Sequence, residues 1–493
     1  MGKAKGKAKK KGKKPAKAKK DKAPVVASLA SMPIRASFDA AQTTDSNRRH
    51  WANADALSAD AAASPEKRRI IRNRARYEVY NNGYARGLVN TIGNDVIGKG
   101  PRLQMQTKDA KLNDFIENEF ASWARAARLA QKLKTMRIAK GQDGEGLGVL
   151  FTNLPLRHRI KLDLKLIESE QLADPYAAVA IDGSVDGIVL DGDGNPVEYH
   201  VLKEHPGSNT LGVGVDFDRI PEGYFIHWFD VTRPGMHRGL PDILPALPLY
   251  AQLRRFTLAV IDAGEAAARF TACMKTDAPS GGDAADVDPM ATMELESNML
   301  TFVPEGWEPF QMKAEQPNST YKEFKREILS EIGRCLSMPY NVVACDSSDY
   351  NYASGRLDHQ TYFKAISVEQ SDAEAIACDK VFDRWIEEAV LEYDEIPRLD
   401  SWPHQWIWPG HEHVDPTKEA TGQEKRLANH TTTLAEEYAR QGKDWEVEIR
   451  QRGKELELIR ELDLPMKGTS PGAATVDAIG DELVMRLADE DVA

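Results

Sequence analysis

A run of short hydrogen-bonding side chains stands out in the second half of the chain, within the segment NVVACDSSDYNY. It combines carboxylates, hydroxyls, a phenol and an amide, on Asp346, Ser347, Ser348, Asp349, Tyr350 and Asn351. Side chains of most of these types bond to neighbouring backbone groups and so compete with helices and strands. The sequence therefore predicts a polar loop, and the chemistry of this loop is hydrogen bonding and negative charge.

Helical patterns flank the polar loop on both sides. The first helix should begin at a capping box, Thr320 with Glu323, and end before Pro339. Its apolar residues recur every four positions, at Phe324, Ile328, Ile332 and Leu336. The second, longer pattern runs from Ser354 to about Asp394. On this pattern alone, an ordinary helical hairpin with a surface loop is the simplest interpretation.

A second candidate for chemistry is the triplet His411-Glu412-His413, which could bind a metal ion. Two histidines at positions i and i+2 lie on one side of a strand. No HExxH motif or further ligand cluster accompanies them, so a surface loop is the favoured interpretation and no metal or cofactor is expected. A metal-dependent hydrolase built on His411 and His413 is kept as an alternative.

Two other segments carry motif-like residues in the wrong order for a ligand site. Gly144, Gly146 and Gly148 lead into a strand, whereas a phosphate-binding loop must lead into a helix. The segment 191–195 has the aspartates of a calcium loop, but proline and leucine stand where that loop needs a glycine and an acid. We therefore exclude a dinucleotide site and predict a hairpin turn at 191–195.

Charge is divided sharply along the chain. Residues 1–22 contain 12 lysines and one aspartate, a net charge of +11; since the whole chain carries −11, the other 471 residues carry −22. An acidic body argues against a protein that grips DNA by neutralising phosphates. Residues 1–40 have too few apolar side chains to fold alone and are predicted to be disordered. A DNA-binding scaffold protein that uses this basic tail is a second alternative.

Composition excludes several other classes. There is no apolar run of membrane-spanning length, and no apolar run follows the first lysines as in a secretory signal. The cysteines lack CxxC spacing, which indicates neither a zinc site nor a disulfide framework and fits a reducing cytoplasm. No GxxxxGK[ST] motif is present, so an ATPase is not indicated.

Periodicity along the chain predicts a mixed α+β fold. Helices are expected from Pro65 to Gly98, at 112–126, and from Pro245 and Pro248 to about Cys273, with further helices after Pro416. Between them, 144–230 should be rich in strands, with candidates at 161–167, 185–190, 197–202 and, later, 299–303 and 402–408.

The literal residues around the polar loop are more specific than their pattern. Together with Met338 and Asp346, they resemble the signature of the lambda family of bacteriophage portal proteins; the residues of this family motif are Pro339, Tyr340, Asn351, Tyr352, Ser354 and Arg356. Ala353 replaces the first serine of the family box, a loss of one hydroxyl. The segments RARYEVYNNGYARGLVNTIGNDVIGKGPRLQM and FIHWFDVTRPGMHRGLPDI also resemble this family, and the resemblance covers 65–465.

The resemblance implies a portal fold, an α+β architecture with an α/β wing, a helical stem, a small β/loop clip and a C-terminal helical crown. Its expected divisions are a disordered tail (1–40), wing (41–240), first stem helix (241–273), clip (274–318), second stem helix (319–337), tunnel loop (338–355), long helix with the rest of the wing (356–430), crown (431–466) and flexible tail (467–493).

The resemblance also implies the function. Family members form rings, usually of twelve subunits, at one capsid vertex, through which double-stranded DNA is packaged and ejected. Implied partners are the terminase large subunit, major capsid or scaffold proteins and head-tail connector proteins, in the virion and, during assembly, the host cytoplasm. No enzymatic activity is implied. The tunnel loop would face DNA, and Trp307, Phe310 and Met312 are candidate clip contacts, although a local core would use them too.

Overall fold

The computed structural model describes residues 45, 48–174, 184–208, 216–269, 273–276, 307–310, 318–348, 350–410 and 416–462. Residues 1–56 and 57–493 form two separate units, and the described elements belong to the second. Its α-helices are α1 (Ala59–Ala62), α2 (Pro65–Asn81), α3 (Gly83–Ile97), α4 (Ala110–Ala126), α5 (Leu129–Asp143), α6 (Leu247–Arg269), α7 (Asn318–Arg334), α8 (Tyr340–Ala344), α9 (Tyr352–Ala373), α10 (Asp379–Glu392), α11 (Pro416–Ala428), α12 (Leu434–Arg440) and α13 (Trp445–Glu461).

The strands are short and every pairing described is antiparallel. They are β1 (Arg102–Met105), β2 (Glu145–Thr152), β3 (Leu162–Ile167), β4 (Ile188–Leu190), β5 (Pro196–Leu202), β6 (Phe217–Pro221), β7 (Phe225–Phe229), β8 (Cys273–Thr276), β9 (Trp307–Phe310) and β10 (His404–Ile407). They form sheets of order β1-β10, β3-β2-β7, β4-β5-β6 and β8-β9. The expected α+β class is therefore confirmed.

The main core lies where α4, α5 and α10 pack near the sheet β3-β2-β7. An aromatic cluster lies within it: the Phe120 ring centroid lies 5.2 Å from that of Trp385, and the Trp123 indole donates to the Leu162 carbonyl at 2.9 Å. Burying one such side chain contributes roughly 1.5–3 kcal/mol of transfer free energy. This cluster ties α4 and α10, which lie far apart in the sequence, into one unit.

Close backbone contact explains the glycine at the start of β2. Gly144 ends α5 with φ 97°, and a Cβ there would lie 2.6 Å from the carbonyl carbon of Leu240. The glycine run leads into β2, as predicted, and Gly144 lets the backbone pass close to that of Gly239 and Leu240. The expected turn at 191–195 is also present: the Asp191 carboxylate accepts from the amides of Asp193 and Asn195 at 2.9 and 2.8 Å.

The helix expected from Pro65 to Gly98 is wrong as a single helix. Asn82 has extended dihedrals (φ −126°, ψ 118°) and separates α2 from α3. Its side chain accepts from the Tyr84 amide at 3.0 Å, so the asparagine caps a new helix instead of continuing the old one. Helix α5 is an addition that periodicity did not predict.

The long helix after the polar loop is present but not uniform. α9 and α10 are joined by one π-helical stretch, Glu374–Cys378. The first residue of that stretch and the residue directly after it accept from indoles of the β10 segment: Trp408 donates to Glu374 at 2.5 Å, and Trp406 donates to Asp379 at 2.8 Å. These two hydrogen bonds hold the extended segment against the long helix.

Some of the other expected elements are present, and others fall outside the described residues. α6 begins at Leu247, between Pro245 and Pro248, and β10 is a strand, both as predicted, while α12 begins at a Thr433–Glu436 capping box. The strand expected at 299–303 and the tails expected at 1–40 and 467–493 lie outside the described residues. Among helices in the described ranges, none is both long and apolar enough to span a bilayer.

Candidate functional site

The polar loop is approached from α7, which ends earlier than predicted. The last helical residue is Arg334, because Ser337 adopts a left-handed conformation (φ 52°) and the Met338 amide donates to the Gly333 carbonyl at 2.9 Å. This is the hydrogen-bonding pattern that closes a helix C-terminus. Pro339 therefore follows a turn that is already complete.

Gly333 allows that turn to pack tightly. A Cβ at this position would lie 2.6 Å from the Met338 carbonyl oxygen and 2.6 Å from Cγ2 of Val343, and both Met338 and Val343 are buried. Real Cβ atoms do not approach other atoms this closely, so only glycine fits without movement. The close contact positions the chain that enters the polar loop.

The first half of the segment predicted as loop is instead the short helix α8. Val343 is buried and anchors α8 to the main core, and a tertiary contact of this kind overrides the low helix propensity of valine. Cys345 then takes a left-handed conformation (φ 52°) and ends the helix. The segment between α8 and α9 is therefore 345–351.

Within that segment, Asp346 organises a tight turn. Its Oδ1 accepts from the Ser348 amide at 3.0 Å and from the Ser348 hydroxyl at 2.5 Å, and the Tyr350 amide donates to the Ser347 carbonyl at 3.1 Å. Ser347 and Ser348 are exposed, while Asp346 and Tyr350 are half-buried. The amides of Ser348 and Tyr350 are thus bonded within the loop, and both serines are exposed.

Asn351 and Ser354 start α9 as a reciprocal cap. The Asn351 side chain accepts from the Ser354 amide at 2.9 Å, and the Ser354 hydroxyl accepts from the Asn351 amide at 3.3 Å. A cap of this kind satisfies amides that the first helical turn leaves free. These two motif residues therefore have a structural role that needs no ligand.

Cations on α7 face the polar loop. Hydrogen bonds from Ser348, followed by the charges of Lys322 and Arg326, hold the pKa of Asp346 below its ordinary value. The Arg326 guanidinium also lies 4.9 Å from the Tyr340 ring centroid. The Asp346 carboxylate is therefore ionised at neutral pH, in a setting that also contains positive charge.

Sequence reasoning missed these neighbours of the loop. Lys322 and Arg326 are spaced i, i+4 and so lie on one side of α7, but nothing local indicates that this side meets the loop. Likewise, the contact of Asn341 with His359, 3.0 Å between Nδ2 and Nε2, joins α8 to α9 across the loop. Both depend on how the helices pack.

The other predicted site residues are placed as follows. Tyr352 is the first residue of α9, and Arg356 is exposed one turn later. Trp307 and Phe310 are the end residues of β9 and pair with Thr276 and Cys273 of β8. Four others lie outside the described residues: Met312, Asp349, His411 and His413.

In the described part of the chain, Glu168, Glu170 and His205 come nearest to a metal-binding arrangement, with ligand atoms within 4.8 Å of one another. Glu170 already accepts from Arg72 at 3.0 Å and from Arg76 at 2.9 Å. A cation would have to compete with two guanidinium groups for that carboxylate. We assign no metal to this cluster.

Comparison with known proteins bears directly on the polar loop. Residues 45–370, which include α7, α8 and most of α9, match the family model described as phage portal protein, lambda family. A probable portal protein of Halomonas phage phiHAP-1 is 23% identical over 434 residues, which cover 80% of this chain and 81% of that protein.

Two solved structures to which the chain is similar are necks of GTA particles. One is the neck of a native GTA particle computed with C12 symmetry. Its alignment with this chain is 12% identical, covers 77% of this chain and 94% of that chain, and has a TM-score of 0.45. The neck of an empty particle computed with C6 symmetry is 14% identical, with 75% and 92% covered and a TM-score of 0.44. Since the family match spans 326 of 493 residues, this chain belongs to the lambda family of phage portal proteins.

Proposed function

We propose that this portal protein forms a ring of twelve subunits, the number that the family resemblance implies, through which double-stranded DNA enters and leaves a capsid. The observation that carries the proposal is the family match over 45–370, which includes α7, α8, the polar loop and most of α9. A closed ring of identical chains requires that one face of each subunit contacts a different face of the next.

The polar loop at 345–351 is the proposed DNA-facing element. Its geometry supports this role because Asp346 is ionised and the serines are exposed, while the loop's own backbone bonds keep it compact. In a ring, repeated carboxylates would repel the phosphate backbone, and Lys322 and Arg326 would moderate that repulsion. DNA could then slide past without binding tightly, and no covalent step is involved.

The remaining assignments follow the expected divisions of the chain. We propose that α6 and α7 form the stem, β8 and β9 belong to the clip, and α12 and α13 form the crown. The clip, with Trp307, Phe310 and Met312, would contact the terminase large subunit and later the head-tail connector proteins. Capsid or scaffold proteins would contact the outer wing. The ring would assemble in the host cytoplasm, act in the virion and have no enzymatic activity.

Negative-stain imaging of the purified full chain tests the ring directly. Rings with a central hole are expected, and single compact particles at every concentration would overturn the proposal. Metal analysis of the same sample separates it from the hydrolase alternative, which requires stoichiometric metal. Deleting 1–22 separates it from the basic-tail scaffold alternative: ring assembly should persist without the lysines.

A further inference from the structure

Helix α2 carries an outward surface that is both basic and apolar. Its buried side includes Arg68, Arg72 and Ala75, whereas Ile70 and Tyr77 are 50% and 56% exposed. Lys67 and Arg74 are exposed on the same outward side, since spacings of three, four and seven residues align on a helix. We call this surface, Lys67, Ile70, Arg74 and Tyr77, the basic face.

Helix α7 carries a surface of opposite sign. Glu323, Glu327 and Glu331 recur every four residues, and all three are exposed. Phe324 lies next to this stripe and is 50% exposed, although its periodicity predicted a core position. We call this surface, Glu323, Phe324, Glu327 and Glu331, the acidic face.

Helix α6 lies between the two helices that carry these faces. Arg254 of α6 donates to both carboxylate oxygens of Glu78 on α2, at 2.9 and 3.0 Å. Phe256, two residues later, packs against Tyr321 and Phe324 of α7 with ring centroids 5.6 and 4.8 Å away. Residues two apart project about 160° apart around a helix. The basic face and the acidic face therefore lie on different sides of the layer formed by α2, α6 and α7.

The apolar surface on the α2 side continues along α6. Leu258 and Ile261 follow Arg254 by four and seven residues, so they lie on the same stripe of the helix. They are 55% and 51% exposed. Uncovered apolar stripes on packed helices mark interaction surfaces, so this side has the composition of a contact surface and not only of a solvated one.

No ion pair joins the charges of either face to another side chain in the part of one chain that the structure describes. In the described residues, neither Lys67 nor Arg74 forms an ion pair, and the same holds for the three glutamates of the acidic face. A partner for either face must bring the opposite sign, because like charges at an interface cost several kcal/mol. Another copy of this chain supplies both complements at once.

We propose that the basic face of one subunit docks on the acidic face of the next copy, and that this contact closes the ring. The inference rests on the proposed ring and adds the surfaces and the charge pattern that select the neighbour. Because the two faces differ, the contact is heterologous and repeats in one direction around the ring. Tyr77 and Phe324 provide the apolar part, and the charges set the register.

Charge reversal of each face alone tests the contact. An acid-reversed variant carries Glu323→Lys, Glu327→Lys and Glu331→Lys, and a base-reversed variant carries Lys67→Glu and Arg74→Glu. Every altered side chain is exposed, so circular dichroism and thermal melts should match the unaltered chain. Mass photometry should show that each variant alone has lost rings. Rings formed by either variant alone, as by the unaltered chain, would overturn the proposal.

Mixing the two variants gives a sharper result. Each then meets a neighbour of opposite sign on both sides, so rings should return with a one-to-one composition by native mass spectrometry. A chain with all five reversals should also form rings, but should not join rings with the unaltered chain. Failure of folded variants to assemble on mixing would overturn the proposal.

A control variant with Asp193→Lys, Glu204→Lys and Asp400→Lys changes charge by the same amount at exposed positions outside both faces. It should still form rings, and loss of rings there would attribute the effect to net charge and overturn the specific contact. If the base-reversed variant keeps its rings but loses affinity for duplex DNA, the basic face is a nucleic-acid surface instead. If the unaltered chain never forms rings, the proposed function is wrong as well. If the unaltered chain forms rings and the charge-reversed variants also do so alone, only the specific contact is wrong.

Discussion

The guanidinium of Arg137 on α5 makes a two-pronged contact with the carboxylate of Glu369 on α9. Nε lies 2.7 Å from Oε1, and Nη2 donates to Oε2 at 2.9 Å. Nη1 of the same arginine lies 3.0 Å from Asp242, in the segment before α6. One buried arginine therefore joins α5, the long helix and the approach to α6.

Replacing Glu369 by alanine should lower the free energy of unfolding by about 3 kcal/mol, because it leaves the buried Arg137 charge with Asp242 as its nearest counterion. Chemical denaturation measures this loss. As a control, Glu387→Ala removes an exposed partner of Arg384, 2.7 Å away, and should cost less than about 1 kcal/mol. Equal losses for the two variants would contradict a buried role for Glu369.

Gly333→Ala should destabilise the protein by about 1–3 kcal/mol, because the new methyl group would meet the Met338 carbonyl and Val343 at 2.6 Å. Gly87→Ala is the matched control: it also lies within a helix, and a Cβ there meets nothing within 4 Å. That control should be neutral or should stabilise by up to about 1 kcal/mol. Thermal melts compare the two, and a harmless Gly333→Ala would show that α8 can shift freely.

Features with a local cause were predictable from the sequence. The turn at 191–195 needs only the Asp191 side chain and nearby amides, and the start of α9 follows from Asn351 and Ser354. The start of α6 near Pro245 and Pro248 depends only on the fixed proline geometry. Each of these features is determined by residues that lie within a few positions of one another in the sequence.

Features with a distant cause were not predictable. α5 escaped detection because buried charges interrupt its apolar pattern, and their partners lie far away: Arg137 with Glu369, and Asp143 with Arg76 at 2.6 Å. α8 forms because Val343 is buried against other helices. The position of Arg326 beside the loop has the same origin, while the DNA-facing role of the loop stays a prediction.

Glu117 on α4 should make stability depend on pH. Burial, together with the nearby carboxylates of Asp444, Asp114 and Glu446, raises its pKa from 4.5 to about 7, although the Met105 amide donates to it at 2.7 Å. Between these values the folded state binds more protons than the unfolded state, so stability should fall as pH rises from 4.5 to about 7.

Glu117→Gln should remove that slope, because the amide oxygen can still accept from Met105 and carries no charge. The variant should gain stability relative to the unaltered chain at about pH 8 and change little near the acidic end of the window, as measured by denaturation at several pH values. Glu66→Gln, at an exposed position in α2, should leave the slope unchanged. An unaltered slope in Glu117→Gln would assign the pH dependence to other groups.

Asn351→Ala should fray the start of α9, since the Ser354 amide loses its acceptor. The expected cost is about 1 kcal/mol, whereas Asn351→Asp keeps an acceptor and should cost little. Hydrogen exchange of the first-turn amides reports this local opening directly. Ser347→Ala, in the same loop but without a capping role, should leave the exchange rates of α9 as they are.

The charge of the polar loop should govern how fast DNA passes. Replacing both Asp346 and Asp349 by lysine changes each subunit from two negative to two positive charges, so every copy would attract phosphates instead of repelling them. Packaging velocity measured on single particles should fall by about tenfold or more, and added salt should partly restore it. The control Asp394→Lys with Glu395→Lys reverses two adjacent exposed acids after α10 and should package normally.

Because rings must form before velocity can be measured, imaging of the loop variant first separates a failure of assembly from slow passage. Intact rings that package at the unaltered rate would show that the loop charge does not act on DNA.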